Sequence, residues 1–189
     1  KGYLGGNFFF NEEHRNIIFT DDEEASEILT DDEYPENGLK TALVTHLITS
    51  AHIMLSGGTV SNFLIHPSVK TELHQKFAEK VGSYLNDLAS NIDENETKNA
   101  FKILYSELKS TYNDLYDFDK IYDYIKQILD DADAIKHLIL NSNSVFVDSS
   151  QYETGINIIV GGNSLGRGVT FPQLQTIYYC RLARKPQAD

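Results

Sequence analysis

The stretch "INIIVGGNSLGRGVTF", Ile156 to Phe171, decides the fold. Its first half is a short apolar run rich in β-branched residues, as expected of a parallel strand buried on both faces. Its second half holds four glycines, Gly161, Gly162, Gly166 and Gly168, with Arg167 wedged between the last two. In α/β sheets ligands bind beyond the carboxyl ends of the strands. Glycines placed there tolerate positive φ and close backbone approach, so their N–H groups can face a phosphate. Arg167 offers a forked, permanently charged donor to a phosphate oxygen, and Thr170 a hydroxyl to a ribose or a backbone group. A tight strand-to-strand connection explains the same glycines without any ligand. The spacing is not that of a Walker A loop, because no GxxxxGK[ST] occurs anywhere in the chain, and it is not a dinucleotide fingerprint.

Working outward, "SNFLIHPS" (Ser61–Ser68), "SVFVDSS" (Ser144–Ser150) and "QTIYYCRL" (Gln175–Leu182) also read as strands. "LKTALVTHLITSAHIMLSGG" spaces Leu39, Leu43, Leu47, Ala51 and Leu55 at helical intervals and stops at Gly57-Gly58. His46 and His52 lie on this helix, where histidines usually serve as core or boundary residues. After Pro67, Ser68 can cap a second helix whose Leu73, Phe77, Val81, Tyr84 and Leu88 share one face. Strand followed by helix is half of a βαβ unit, so the pattern predicts an α/β sandwich.

Between Asn91 and Leu140 the pattern turns helical, with "ETKNAFKILYSELKSTYNDL", "FDKIYDYIKQILDDA" and "DAIKHLIL" as the expected helices. We read 91–140 as an all-helical insertion into an α/β core made of 39–90 and 141–189. Residues 1–38 form a lead-in with two short strands, "GNFFF" and "RNIIFT", and an acidic linker from Asp21 to Gly38.

Composition sets the outer limits. The chain has 189 residues, enough for one domain or one domain with an insertion. No apolar run reaches the ~20 residues of a membrane span, so no membrane is expected as a partner. A single cysteine, Cys180, rules out an internal disulfide and fits a reducing, cytoplasmic compartment. No Cys/His cluster has zinc spacing, so no metal site is expected. The net charge of −12 argues against a surface that coats nucleic acid generally. It is uneven: from Gly161 onward Arg167, Arg181, Arg184 and Lys185 face one acid, Asp189, which leaves −15 on the rest. The chain opens with Lys1 and its one methionine is Met54, so we expect a piece of a longer polypeptide.

"GGNSLGRGVTFPQLQTIYY" resembles motif V of superfamily-two helicases, found in their second RecA-like lobe. It is more closely similar to the Z-one (Z1) domain, a family of bacterial ATPase-like proteins labelled as endonucleases. Gly161, Gly162, Asn163, Leu165, Arg167, Gly168, Thr170 and Leu174 match that family's pattern. Gly166 stands where the family usually has serine, and Gln173 where it often has glycine. The helix from Leu39 and the strand "NFLIH" match the family as well, and "KGYLGGNFF" resembles its inter-lobe segment.

The resemblance implies a RecA-like parallel sheet flanked by helices. It also implies a parent protein that binds ATP and Mg through a first ATPase lobe upstream, with DNA and restriction-system subunits as partners. This piece alone is expected to bind no cofactor and to be inactive. Gly161, Gly162, Asn163, Gly166, Gly168, Thr170 and Ser68 would meet nucleotide or nucleic-acid backbone, and Arg167 would couple the two. Two other readings stand beside it. A nuclease needs clustered carboxylates on rigid strands, whereas the E-x-K triplets Glu96–Lys98 and Glu107–Lys109 fall in predicted helices and Asp148 stands alone. A non-catalytic interaction module would use the acidic helical insertion.

Overall fold

The computed structural model of the protein describes residues 38–67, 71–140, 149–162 and 170–179. The lead-in over 1–37, Ser68, Asp148, Asn163, Gly166, Arg167 and Gly168 lie outside the described residues, as does most of "SVFVDSS". Four helices and four strands follow in order: α1 (Gly38–Leu55), β1 (Val60–His66), α2 (Thr71–Ser90), α3 (Asn95–Thr111), α4 (Phe118–Asp130), β2 (Ile135–Leu140), β3 (Gly155–Gly161) and β4 (Leu174–Tyr179). A 3-10 turn, Ser149–Tyr152, precedes β3. Among the described residues no helix is long and apolar enough to cross a membrane.

The sheet has the order β2-β3-β1-β4, and every pairing is parallel. β1 and β3 occupy its centre, which is why "VSNFLIH" is buried throughout and "INIIVG" equally so. One sheet face presents Phe63, Ile65, Ile156, Ile158, Val160 and Tyr178 to a core shared with all four helices. The other carries Leu64, Ile159 and Leu140 against Tyr152 and Phe171, a cluster to which no residue of the four helices contributes.

α1 is buried on most of its circumference, including Leu39, Leu43, Val44, Leu47, Ile48 and Ala51. Packed on β1 and beneath α3 and α4, it has little polar face to spare. It ends in a glycine cap. Gly57 adopts φ +84°, its N–H donates to the Met54 carbonyl, and the Gly58 N–H reaches back to the Ile53 carbonyl. That six-to-one and five-to-two pairing is a Schellman motif, and the left-handed residue it requires favours glycine. α2 buries Phe77, Val81, Tyr84 and Leu88 as expected from spacing, together with Leu85, while Leu73 is half-buried.

The expected insertion needs a correction. "DAIKHLIL" is not a helix: Ile135–Leu140 is β2, an edge strand paired in register with β3 from Ile135↔Ile156 to Leu140↔Gly161. Ile135, Leu138 and Ile139 sit at spacings that suit a helix, but so short an apolar run cannot be told from a strand by periodicity. The neighbouring β3 decided it. Residues 91–140 are therefore not all helical. The two helices that do form share the main core: Phe101 of α3 and Ile121, Tyr122, Ile125 and Ile128 of α4 join the cluster containing Phe63 and Ile158. The Tyr122 hydroxyl donates to the Ile92 carbonyl at 2.7 Å, tying α4 to the end of α2.

Candidate functional site at the carboxyl edge of the sheet

All four strands being parallel, their carboxyl ends lie at one edge. The register aligns Ile65 with Val160, His66 with Tyr179, and Leu140 with Gly161. His66, Gly161, Gly162 and Tyr179 thus meet there. Pro67, Gly161 and Gly162 are buried; the His66 and Tyr179 rings lie 5.0 Å apart.

Strand order gives this edge its crevice. From the end of β1 the chain leaves through α2, α3 and α4, on the helical face, to reach β2 on the far side of β3. β4, the next strand after β3, lies in the opposite direction, on the far side of β1, and Phe171 just before it packs on the other face of the sheet. Neighbouring strands from which the strand order runs in opposite directions make a topological switch point, where open α/β sheets bind ligands. Gly161 and Gly162 end one of the two strands, and Ser68 follows Pro67 at the end of the other.

The same topology removes a simpler account of the glycines. A tight strand-to-strand turn requires antiparallel neighbours, whereas β3 and β4 both run parallel to β1 and are separated by it. β3 ends at the carboxyl edge, whereas β4 begins at Leu174, opposite Asn62 in the amino half of β1. Thr170, exposed, belongs to the residues that enter β4 from the amino edge, so no described contact brings it to Gly161 and Gly162.

At the amino half of the sheet two buried asparagines interrupt the apolar strands. Asn62 and Asn157 are register partners on β1 and β3. The Asn157 side-chain amide donates to Asn62 Oδ1 at 2.9 Å, and Asn62 Nδ2 donates to the Tyr152 carbonyl at 3.0 Å and to the Pro172 carbonyl. The Asn62 backbone N–H also donates to the Gln173 carbonyl. These bonds fasten Tyr152, before β3, and Pro172 and Gln173, before β4, to the central strands. Their signal was present as a polar residue in the middle of each buried strand, but asparagine alone does not announce its partners.

The other polar residues of the sequence divide between core and surface. His46 is fully buried beside Phe63, with Ser50 Oγ 3.3 Å from Nε2, and Ser50 bonds Ser61 at 2.8 Å. Burial pushes its pKa down to about 3, so it is a neutral core residue. Of the E-x-K triplets, Lys98 pairs with Asp119 at 3.4 Å and Lys109 donates to the Leu115 carbonyl, both on the surface of α3.

A four-stranded parallel sheet flanked by four helices among the described residues, with a glycine-ended strand at the switch point, defines an α/β domain of RecA-like arrangement. The chain belongs to the Z1 domain family, whose model matches residues 38–189, more than half of its length. No curated protein and no solved structure matches it.

Proposed function

We propose that this chain is the second RecA-like lobe of a DNA-dependent ATPase or translocase acting in bacterial DNA processing, with restriction as the favoured setting. The supporting observation is the convergence at one switch point of the two segments singled out from sequence: β3 ends in Gly161-Gly162, and β1 ends at His66-Pro67 beside it. In this reading Asn163, Gly166, Arg167 and Gly168, which follow Gly162 in sequence, and Ser68, which follows Pro67, meet nucleotide or nucleic-acid backbone. The first lobe of the same polypeptide supplies the ATP and Mg site, and closure of the two lobes changes the grip on DNA backbone. A guanidinium reaching phosphate or a coupling carboxylate contributes roughly 1.5–3 kcal/mol.

The test is Arg167→Ala in the polypeptide that contains both lobes, with ATP turnover measured with and without DNA. Loss of one such bond slows DNA-stimulated turnover by about 10- to 150-fold, with the melting temperature unchanged. Arg167→Lys recovers part of the rate, because lysine keeps the charge and loses the fork. An unchanged rate, or a rate lost only through unfolding, would leave Arg167 a structural residue.

A further inference from the structure

A second opening lies at the other end of the sheet. It is a cavity of about 800 Å³ between the end of α1, the end of α3 and the segment entering β4, within the ordinary range for small-molecule sites of roughly 300–1,000 Å³. Although the protein carries net charge −12, no Asp, Glu, Lys or Arg lines it among the described residues. The described lining is largely apolar, with Ile53, Val60, Leu108 and Leu115, and the residues Thr59, Thr111, Tyr112, Gln173 and Gln175 add neutral hydrogen-bonding groups.

Three features give the cavity a built character. Tyr112 is 52% exposed while its ring meets His52 edge-on at 5.7 Å, which holds an aromatic surface open at the wall. His52 Nδ1 is buried with no hydrogen-bond partner among the described residues, and burial is the main cause that lowers the pKa of its ring. Gln173 holds φ +47°, an uncommon backbone state for a residue with a side chain, while its carbonyl is fixed by the Asn62 N–H and its side-chain oxygen accepts from Gln175 Nε2 at 3.3 Å. Backbone strain kept in place by surrounding bonds is typical of ligand sites. Two side-chain amides beside an open aromatic ring match the edge and the face of a flat, uncharged ring that bears both donors and acceptors.

We propose that this cavity binds an uncharged planar heteroaromatic group of the nucleobase type, stacked on Tyr112 and hydrogen-bonded by Gln173 and Gln175. The site is separate from the glycine loop and stands or falls apart from the ATPase reading. The base can come from a free nucleoside or from a nucleic-acid strand, and the test separates them. Calorimetric titration of the protein with adenosine and thymidine is run beside adenosine monophosphate and a short deoxyadenosine oligonucleotide, with Tyr112→Ala, Tyr112→Phe and Gln175→Ala as variants and melting temperature as the folding control.

Saturable nucleoside binding is expected, weakened roughly 5- to 150-fold by Tyr112→Ala as a stacking contact is lost, and retained in Tyr112→Phe. The monophosphate binds more weakly than the nucleoside, since no cation lines the wall among the described residues. An oligonucleotide that competes with adenosine and loses affinity in Tyr112→Ala assigns the base to a strand; competition absent, it is a free nucleoside. No binding of either nucleoside up to millimolar concentration, tighter binding of the monophosphate, or indifference to Tyr112→Ala in a folded protein would each overturn the proposal.

Discussion

His46 should make the protein acid-sensitive in a way that one substitution can isolate. The ring is wholly buried between α1 and β1, against Phe63 and Ser50. Burial holds its folded pKa near 3, against 6.5 for an ordinary histidine. The folded pKa is depressed, so between pH 6.5 and 3 the unfolded chain binds a proton that the folded chain refuses. Stability is then full above pH 6.5 and is lost as pH falls towards 3. One proton gives a slope of about 1.36 kcal/mol per pH unit. At pH 5 the loss relative to pH 7.5 is therefore about 2 kcal/mol, and this figure holds for any folded pKa below about 4. The assay is urea unfolding followed by circular dichroism at both pH values, for the protein and for His46→Gln. The variant keeps a hydrogen-bonding side chain near Ser50 and cannot titrate. Its absolute stability will be lower, but its loss between the two pH values should be smaller by those 2 kcal/mol. Other groups, His52 included, are common to both proteins and cancel. Parallel pH dependences would refute the reasoning, because they would mean that water and protons reach His46 in the folded state.

Phe101→Ala should cost about 3–5 kcal/mol in urea unfolding, since Phe101 is fully buried and packs edge-on against Tyr122; a cost under about 1 kcal/mol would mean that α3 does not belong to the sheet's core. Asn62→Ala should destabilise by about 1–3 kcal/mol for each buried group left unpaired, the Tyr152 and Pro172 carbonyls and the Asn157 amide being the candidates. A change below about 1 kcal/mol would show that water takes over their bonds. Gly57→Ala should cost about 1 kcal/mol because φ is +84° there. Gly58→Ala should cost more, because its new methyl meets the Ile53 side chain and carbonyl; thermal melts that rank the two the other way would refute the cap geometry.

Sequence alone determined the elements whose pattern is both long and local. α1 and α2 were legible because Leu39–Leu55 and Leu73–Leu88 repeat over several turns, and the Gly57-Gly58 stop is a property of the backbone itself. β1 and β3 were legible as buried strands because central parallel strands need apolar residues on both faces. The glycine run after Val160 was visible for the same reason, since glycine is conspicuous wherever it ends such a strand. Tertiary structure decided what depends on neighbours. Ile135–Leu140 became a strand only because β3 offered it an edge to pair with. The order β2-β3-β1-β4 turned the glycine segment from a tight turn into a crossing connection, and placed its start beside the end of β1. The Asn62–Asn157 pair and the amino-edge cavity join residues about a hundred positions apart, whose contact no local pattern encodes. Periodicity records which face of an element is buried; strand order and partner choice arise from packing between elements, and there the site was decided.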